Sequence, residues 1–262
     1  FTVGTSPSAV SIADFDGDGK NDIAVGDNGG SSVSVLRNTS VAGYINAGSF
    51  AAKVDFNASS SLGDIAVTDV DGDNKIDIIT TGLVSNTISV LRNTSVPGSI
   101  TAGSFAAKAD FATGVFPKGV SVSDVDGDGK TDIVVTNLNS SSISVFRNTS
   151  AAGTINTGSL AAKVDFTAST PFGIEMEDID GDGKKDVVVS NAFDNTISVF
   201  INHATPGSIT TGSLSPKVDF AGGNFPQGIS IGDIDGDGNK DLVVSNRGNN
   251  TMSVFRNQVP TY

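Results

Sequence analysis

Apolar and polar residues alternate along short segments of this chain, and the pattern returns at a fixed interval. In the third copy, residues 119–123 alternate, Ile133-Val134-Val135 is apolar throughout, and residues 143–147 alternate again. Alternation is typical of a half-buried β-strand, and a short apolar run of a strand buried on both faces. Residues 162–166 (Ala-Lys-Val-Asp-Phe) predict a fourth strand whose charges face outward, as edge strands prefer. Each copy therefore predicts four short antiparallel strands.

An aspartate-rich loop separates the first two predicted strands of every copy. Its carboxylates occupy positions 1, 3, 5 and 9 of a nine-residue segment, and the loops start at residues 14, 69, 124, 178 and 233. Repeats of this length are typical of propellers and solenoids, and no ten-residue segment has a helical pattern. The sequence predicts an all-β fold, a β-propeller of five four-stranded blades of about 55 residues. We expect residues 1–262 to form a single domain whose last blade lacks its own outer strand.

Position 2 of the loop is apolar in every copy. Because it stands between two aspartates, its side chain is predicted to anchor the loop on its own sheet rather than to face water. The five residues are Phe15, Val70, Val125, Ile179 and Ile234.

The spacing of the carboxylates predicts a calcium site in each loop. Ca²⁺ takes six to eight oxygen ligands, and four carboxylates with one bidentate, the backbone carbonyl of position 7 and a water reach that number. Gly19 allows the left-handed backbone that folds the loop back, and Asn74, which replaces this glycine in the second loop, tolerates the same conformation. The predicted ligands of about five structural calcium ions are Asp14, Asp16, Asp18, Lys20, Asp22, Asp69, Asp71, Asp73, Lys75, Asp77, Asp124, Asp126, Asp128, Lys130, Asp132, Asp178, Asp180, Asp182, Lys184, Asp186, Asp233, Asp235, Asp237, Asn239 and Asp241.

Two other interpretations of the loops are weaker. An EF-hand needs a glutamate at position 12 and flanking helices, but position 12 is valine or threonine inside a predicted strand. A repeated acidic turn without metal leaves four carboxylates repelling one another, and no loop contains a compensating cluster of bases. Five loops in register therefore favour calcium.

Composition narrows the classes of function. The formal net charge is −13, and 20 of the 29 acidic residues lie in the five loops, so five calcium ions would leave about −3. This charge argues against nucleic acid as a partner. The chain has no cysteine and no apolar run long enough for a membrane span. A need for millimolar calcium favours an extracellular, secreted or cell-surface location. The chain has no initiator methionine or signal peptide, and we expect a mature or excised segment.

Catalysis has little support in the sequence. The single histidine, His203, replaces a threonine of the Asn-Thr-Ser pattern in one copy, which a surface substitution explains better than a catalytic base. No nucleophile motif or phosphate-binding loop is present. The loop carboxylates could imitate a glycosidase pair, but catalytic sites are seldom repeated once per blade. We expect no enzyme activity.

The motif Asp-x-Asp-Gly-Asp-Gly-x-x-Asp between two strands, on this period, resembles the FG-GAP/VCBS repeats of integrin-α-type β-propellers. The resemblance covers essentially the whole chain, and Phe172-Gly173 preserves the Phe-Gly piece. It implies a calcium-binding propeller that acts in adhesion or binding.

The loops at the end of the blades opposite the metal loops differ most between copies. They carry Val84, Phe193 and Arg247 on one set of turns and Phe116, Phe172 and Phe225 on the other. We expect a glycan or protein ligand on this face; the alternative is that surface loops drift freely or that the aromatic residues pack between blades.

The last blade raises a second hypothesis. A structural subunit of a surface layer or filament, with no small ligand, would self-associate through the incomplete last blade. Phe1 is in phase with Phe56, Phe111, Phe166 and Phe220, and we therefore expect residues 1–3 to supply the missing strand within the chain and close a five-bladed ring. The alternatives are that a neighbouring copy donates this strand or that flanking sequence supplies it.

Overall fold

The computed structural model describes residues 1–258, and the described chain is all-β apart from one 3₁₀ turn at Leu138–Ser140. Alternating apolar residues form the strands as expected. The nineteen strands are β1 (Pro7–Ala13), β2 (Asp22–Asp27), β3 (Ser32–Leu36), β4 (Val54–Asn57), β5 (Leu62–Thr68), β6 (Asp77–Gly82), β7 (Thr87–Leu91), β8 (Ala109–Ala112), β9 (Pro117–Ser123), β10 (Asp132–Asn137), β11 (Ser142–Phe146), β12 (Val164–Thr167), β13 (Pro171–Glu177), β14 (Asp186–Asn191), β15 (Thr196–Phe200), β16 (Val218–Ala221), β17 (Pro226–Gly232), β18 (Asp241–Asn246) and β19 (Thr251–Phe255).

Consecutive strands form five antiparallel sheets, which we number in chain order. The first four sheets have four strands each, and the fifth has three within the described residues: β17, β18 and β19. The register is the same from sheet to sheet. The third strand meets the phenylalanine of the outer strand at Val33↔Phe56, Ile143↔Phe166 and Ile197↔Phe220. The predicted repeat of four-stranded sheets with a three-stranded last sheet is confirmed.

The second strand of the middle three sheets is buried along its whole length. All six residues of β6, β10 and β14 are buried, as their uninterrupted apolar runs predicted. Apolar side chains from one sheet pack against the next, for example Val33 and Val35 of the first sheet with Ile65 of the second. Burial between sheets is the main source of stability in repeat folds.

Contacts divide the chain into two compact units. The first contains residues 1–117 with the segment Thr149–Leu160, and the second contains Lys118–Asn148 with the chain from Ala161 onward. The first unit holds the first and second sheets, and the second holds nearly all of the other three. The expectation of a single domain stays a prediction. Within the described residues, no helix has the length and apolar character that crossing a membrane requires.

The first and fifth sheets each have one apolar face that is not covered. In β1, Val10 and Ile12 are 64% and 62% exposed, whereas Ile65, at the position of Val10 in the second sheet, is 6% exposed. In β19, Met252 and Val254 are 69% and 54% exposed. The apolar residues at loop position 2 also differ at the fifth sheet. Phe15, Val70 and Val125 are buried as expected. Ile234 of the fifth loop is 54% exposed, so the prediction that it anchors the loop on its sheet is wrong.

Candidate functional site

The third aspartate loop shows how the sequence builds a compact cluster of carboxylates. Asp124 accepts hydrogen bonds from the backbone N–H groups of Asp128 and Gly129 at 3.1 and 2.9 Å, which closes the loop over its first residue. Asp132, the first residue of β10, accepts N–H donors from Val125 at 3.0 Å and from Asn148 at 2.8 Å. The loop is therefore tied at both ends to its own sheet.

The same fold places three carboxylates together in every loop. One oxygen from each of three aspartates lies within 4.8 Å of the other two. Positions 1, 3 and 5 meet in the first loop and positions 1, 3 and 9 in the other four. The triads are Asp14/Asp16/Asp18, Asp69/Asp71/Asp77, Asp124/Asp126/Asp132, Asp178/Asp180/Asp186 and Asp233/Asp235/Asp241. The structure brings together these fifteen of the twenty-five residues predicted as ligands, and the backbone carbonyl of position 7 stays a prediction.

Left-handed backbone shapes each loop. Gly127 and Gly129 have φ of 73° and 86°. Asn74 adopts φ of 64° in the second loop, so asparagine takes the conformation expected of the glycine it replaces.

Burial makes the last carboxylate of several loops costly to ionise. It raises the pKa of Asp22 to about 6, of Asp77 to about 7 and of Asp132 to about 6, and neighbouring loop aspartates raise these values further. Burial also raises the pKa of Asp186. In the fifth loop, N–H donors from Asn257 and Ile234 instead lower the pKa of Asp241. The last carboxylate of each of the first four loops is thus buried where its ionised form is poorly solvated.

An arginine from the end of the third strand supplies positive charge beside the loop carboxylates, which the sequence analysis missed. Arg147 donates from Nε to Asp126 at 2.8 Å and from an Nη atom to Asp128 at 2.7 Å, and the hydrogen bond to Asp126 raises the pKa of Arg147. Arg37, Arg92 and Arg256 make the same pairs with positions 3 and 5 of their own loops. The expectation that the loops have no compensating base therefore needs correction. The sequence did contain a signal for these pairs: in four copies an arginine follows loop position 3 by 21 residues and loop position 5 by 19.

The fourth loop differs from the others because Ile201 occupies the arginine position. Ile201 packs instead against the apolar cluster between the fourth and fifth sheets. No arginine pair with Asp180 or Asp182 exists among the described residues. The carboxylates at positions 3 and 5 of this loop therefore lack the guanidinium pair that the other four loops have.

An asparagine links the first, third and fourth loops to a neighbouring sheet. Asn202, which is buried just after the third strand of the fourth sheet, donates from Nδ2 to the carbonyl of Val125 in the third loop at 2.8 Å. Asn93 makes the equivalent bond to Phe15, and Asn257 to Ile179. In these three loops the backbone carbonyl of position 2 therefore takes part in holding the loop.

The residues present fit a divalent cation. In the second loop, Oδ1 of Asp71 is buried and has no hydrogen-bond partner, although it lies beside two other carboxylates. A buried acceptor without a donor is costly, and a cation would satisfy it. Hard oxygen donors in this number suit Ca²⁺, which when bound would neutralise the carboxylates and hold the loop closed.

A second cluster lies in the second unit, at the strand ends opposite the metal loops. Phe193 and Phe225 meet edge to face with centroids 5.1 Å apart, and Phe172 and Phe225 are 6.3 Å apart. Arg247 lies 5.9 Å from the ring centroid of Phe225, and Lys118 lies 5.1 Å from that of Phe172. We call these five residues the aromatic patch. Phe193 is 63% exposed.

Phe225 is held in a backbone conformation that bulky residues rarely adopt. Its φ is 54°, in the left-handed region, and its N–H donates to Oδ1 of Asn195 at 2.8 Å. Serine occupies this conformation at the equivalent positions 6 and 61. Since serine is the less strained choice, the phenylalanine is not explained by the needs of the turn.

Neither His203 nor the side chain of a position-7 lysine adds a ligand to the carboxylate clusters. His203 is exposed, and its backbone N–H bonds to the carbonyl of Ser213. Among the lysines at loop position 7, Lys75 donates to the carbonyl of Ser95 at 2.8 Å, away from the carboxylates.

Repeated four-stranded sheets with an aspartate loop between their first two strands define a β-propeller repeat protein. A model of the FG-GAP-like repeat matches residues 14–80, 69–135, 124–189 and 178–244. The chain belongs to this family. No match was found among the curated proteins.

Solved structures share the fold at low identity. A functionally unknown protein from Desulfotomaculum acetoxidans is 16% identical over 98% of this chain and 71% of its own, with a TM-score of 0.61. BBS1N, in complex with ARL6DN, is 14% identical over 94% of this chain and 63% of its own, with a TM-score of 0.57. The V. cholerae biofilm matrix protein Bap1 is 18% identical over 98% of this chain and 40% of its own, with a TM-score of 0.52. These likenesses concern the fold alone.

Proposed function

We propose that this protein is an extracellular, calcium-stabilised β-propeller that binds a glycan through the aromatic patch. The observation that carries the proposal is the grouping of three phenylalanine rings with two cationic side chains on one surface. Ring faces offer flat apolar area to the C–H faces of a sugar. Arg247 and Lys118 offer donors to its hydroxyl or carboxylate groups.

Several features support a binding role over a purely structural one. Large exposed apolar groups that are not needed for packing are typical of interaction sites. Phe193 is largely exposed, and Phe225 is held in a strained turn conformation. Both lie on turns supported by regular sheets, where binding residues are commonly placed.

A binding assay with matched variants tests the proposal. The calcium-loaded protein is titrated with an acidic polysaccharide that Ca²⁺ does not gel, hyaluronan, and with a neutral one, dextran. Phe193→Ala should weaken hyaluronan binding about tenfold or more, because burying a phenylalanine side chain is worth about 1.5–3 kcal/mol. Val84→Ala is the matched control, since Val84 holds the equivalent turn position in the second sheet and is 68% exposed.

Equal binding by both variants, or no binding of either polysaccharide, would contradict a glycan role for the patch. Binding of a protein through the same residues would replace the glycan by the other ligand class. Thermal melts of both variants should match the unsubstituted chain, because both side chains are exposed.

The extracellular location is tested through calcium affinity. Extracellular calcium modules work with dissociation constants of about 10⁻⁴–10⁻³ M. Half-saturation in that range would agree with the proposed location, whereas half-saturation below a micromolar would favour a compartment poor in calcium.

A second function, as a structural subunit of a surface layer or filament, is favoured by a different observation. The uncovered apolar faces of the first and fifth sheets are of the kind that pack together elsewhere in the chain.

A further inference from the structure

Within each unit, consecutive sheets meet through one repeated contact. Apolar residues of the third strand of one sheet pack against apolar residues of the first strand of the next. Ile143 and Val145 meet Ile174 and Met176 in this way. The same contact joins Val33 and Val35 to Ile65 and Val67, and Ile197 and Val199 to Ile229 and Ile231.

Within residues 1–258, the two halves of this contact are each present once without a partner. We call Met252 and Val254 of β19, with the edge of that strand that no described strand pairs with, the tail face. We call Val10 and Ile12 of β1, with residues 1–3, the head face. Residues at the tail positions of the third sheet, Ile143 and Val145, are 0% and 1% exposed, against 69% and 54% for Met252 and Val254.

Residues 1–3 already lie where the outer strand of a preceding sheet would lie. The ring of Phe1 packs edge to face on Phe50 with centroids 5.1 Å apart. Phe56, in the outer strand of the first sheet, packs on Phe105 of the second in the same way, at 4.8 Å. Phe1 therefore relates to the first sheet as Phe56 relates to the second.

The tail face also has an open cavity beside it. It has a volume of about 410 Å³ and is lined by Ile197, Val218, Phe220 and Phe255 among others. In the third sheet the equivalent phenylalanine, Phe166, is covered by Leu214 of the following connection. Val218 and Phe220 are instead 54% and 47% exposed. The uncovered apolar surface beside the tail face therefore extends beyond β19 to residues of β16.

We propose that the tail face binds the head face of a second copy of this chain, so that residues 1–3 of that copy lie along β19 as the fourth strand of the fifth sheet. The partner is argued from the chain itself, because the covered copies of this contact show which residues face each other. Neither β1 nor β19 contains a charged residue, so no charge repulsion opposes the contact. The unpaired backbone N–H and C=O groups along an edge strand can bind a strand from another chain.

The register of this contact follows from the other sheets. The outer-strand phenylalanine lies opposite the second residue of the third strand, as in Ile143↔Phe166. The next residue lies opposite the first, as in Ser142↔Thr167. In the same register Phe1 lies opposite Met252, and Thr2 lies opposite Thr251.

The contact is heterologous, since two different surfaces meet. Each bound copy presents a new tail face, so the association does not use up the binding surfaces and gives chains of copies. The inference deepens the structural role proposed above and does not depend on glycan binding.

Cysteine cross-linking tests the register, because the chain contains no cysteine of its own. Thr2→Cys and Thr251→Cys variants are prepared separately, mixed with calcium and oxidised. The proposal expects a disulfide-linked dimer on a non-reducing gel, since strand neighbours lie at the distance that a disulfide spans. Thr2→Cys mixed with Thr196→Cys is the matched negative control, because Thr196 holds the same register position but is already paired with Ala221.

A second measurement tests the apolar faces in solution. The molecular mass of the whole chain should rise with concentration, and Val254→Asp or Ile12→Asp should each abolish that rise. Mixing these two variants should restore one association, giving a species of twice the single-chain mass that grows no further. Val254→Asp keeps an unchanged head face, and Ile12→Asp keeps an unchanged tail face. Both substituted side chains are exposed, so both variants should fold.

Three results would each overturn the proposal. The first is a mass of one chain at every concentration, and the second is no cross-link in the mixture of Thr2→Cys and Thr251→Cys. The third is a variant with both cysteines in one chain that forms its disulfide only within single chains. The Phe193→Ala variant should assemble like the unsubstituted chain, which separates a failure of this inference from a failure of the glycan proposal.

Discussion

At the scale of single residues, the differences between copies are the most informative feature. In the third sheet, the second strand ends in Asn137, which starts a chain of two hydrogen bonds that we call the relay. Asn137 donates to Ser144, and the hydroxyl of Ser144 donates to Asp165. In the first sheet Asp27 replaces the asparagine. Ser34 contacts both Asp27 and Asp55, and its one hydroxyl proton can serve only one of these carboxylates.

The first prediction concerns this position. Asp27 is fully buried, and its Oδ1 has no hydrogen-bond partner. Asp27→Asn should raise the free energy of unfolding by about 1 kcal/mol or more, because the amide can donate to Ser34 while the serine hydroxyl donates to Asp55. Denaturant unfolding in calcium measures the change.

The reverse substitution provides the control. Asn137→Asp places an aspartate in the same environment of the third sheet and should lower the free energy of unfolding by a similar amount. A destabilised Asp27→Asn variant would show that the carboxylate has a partner that the relay does not include.

The second prediction concerns the arginine position of the fourth loop. Ile201→Arg should stabilise the calcium-free protein by about 0.5–1 kcal/mol, because the new guanidinium can pair with Asp180 and Asp182. The added positive charge should also weaken calcium binding at that loop. The difference between the melting temperatures with calcium and with EDTA should therefore shrink.

Ile201→Gln separates charge from packing, since it removes the same apolar contacts without adding a cation. An equal shrinkage in both variants would mean that lost packing, and not charge, governs this loop.

At the scale of elements, the sheets are coupled by apolar contacts and by one buried asparagine. Asn202 donates both to Val125 of the third loop and to Lys185 of its own loop. Asn38, at the same place in the first sheet, donates from Nδ2 to the carbonyl of Asn21 in its own loop and, within the described residues, to no neighbouring sheet. The two positions therefore differ by one bond between sheets.

The third prediction compares these two asparagines. Asn202→Ala should lower the free energy of unfolding by about 1–3 kcal/mol, because it leaves a buried carbonyl without its donor. Asn38→Ala should cost less, since it breaks no bond to a neighbouring sheet. Equal losses in denaturant unfolding would mean that the bond between sheets adds nothing.

At the scale of the whole molecule, calcium should be a structural component. Five loops gather carboxylates that repel one another when no cation is bound, and the stabilities of repeats add through their neighbours. Four arginines offset part of this repulsion. The protein without calcium should therefore be weakened and not necessarily unfolded.

The fourth prediction is the effect of removing calcium. A site whose dissociation constant is about 100-fold below the calcium concentration adds about 2.7 kcal/mol, or roughly 5–10 °C in melting temperature for a chain of this size. EDTA should lower the melting temperature by tens of degrees, and calorimetry should count about five ions. An unchanged melt, or a stoichiometry of zero or one, would show that the loops are passive turns.

A single substitution checks that the loop carboxylates are responsible. Asp126→Ala should lower the melting temperature in calcium more than Asp110→Ala, because Asp110 lies on an exposed strand outside the loops. Similar losses for both would contradict a metal role for Asp126.

The amino-acid pattern was enough to predict the features that depend on residues close together in the chain. Alternation fixes which strand face is apolar, the period of about 55 residues fixes the repeat, and carboxylate spacing fixes the loop. The left-handed backbone at Asn74 and the burial of Phe15 followed from the same local reasoning.

Only the tertiary structure decided which distant residues meet. Arg147 reaches Asp126 across 21 residues, Asn202 reaches Val125 across 77, and Phe193 meets Phe225 from a different sheet. It also left Ile234 exposed although its position repeats that of buried Phe15. The physical reason is that periodicity describes the environment of an average repeat, whereas burial and pairing depend on which neighbour covers each sheet.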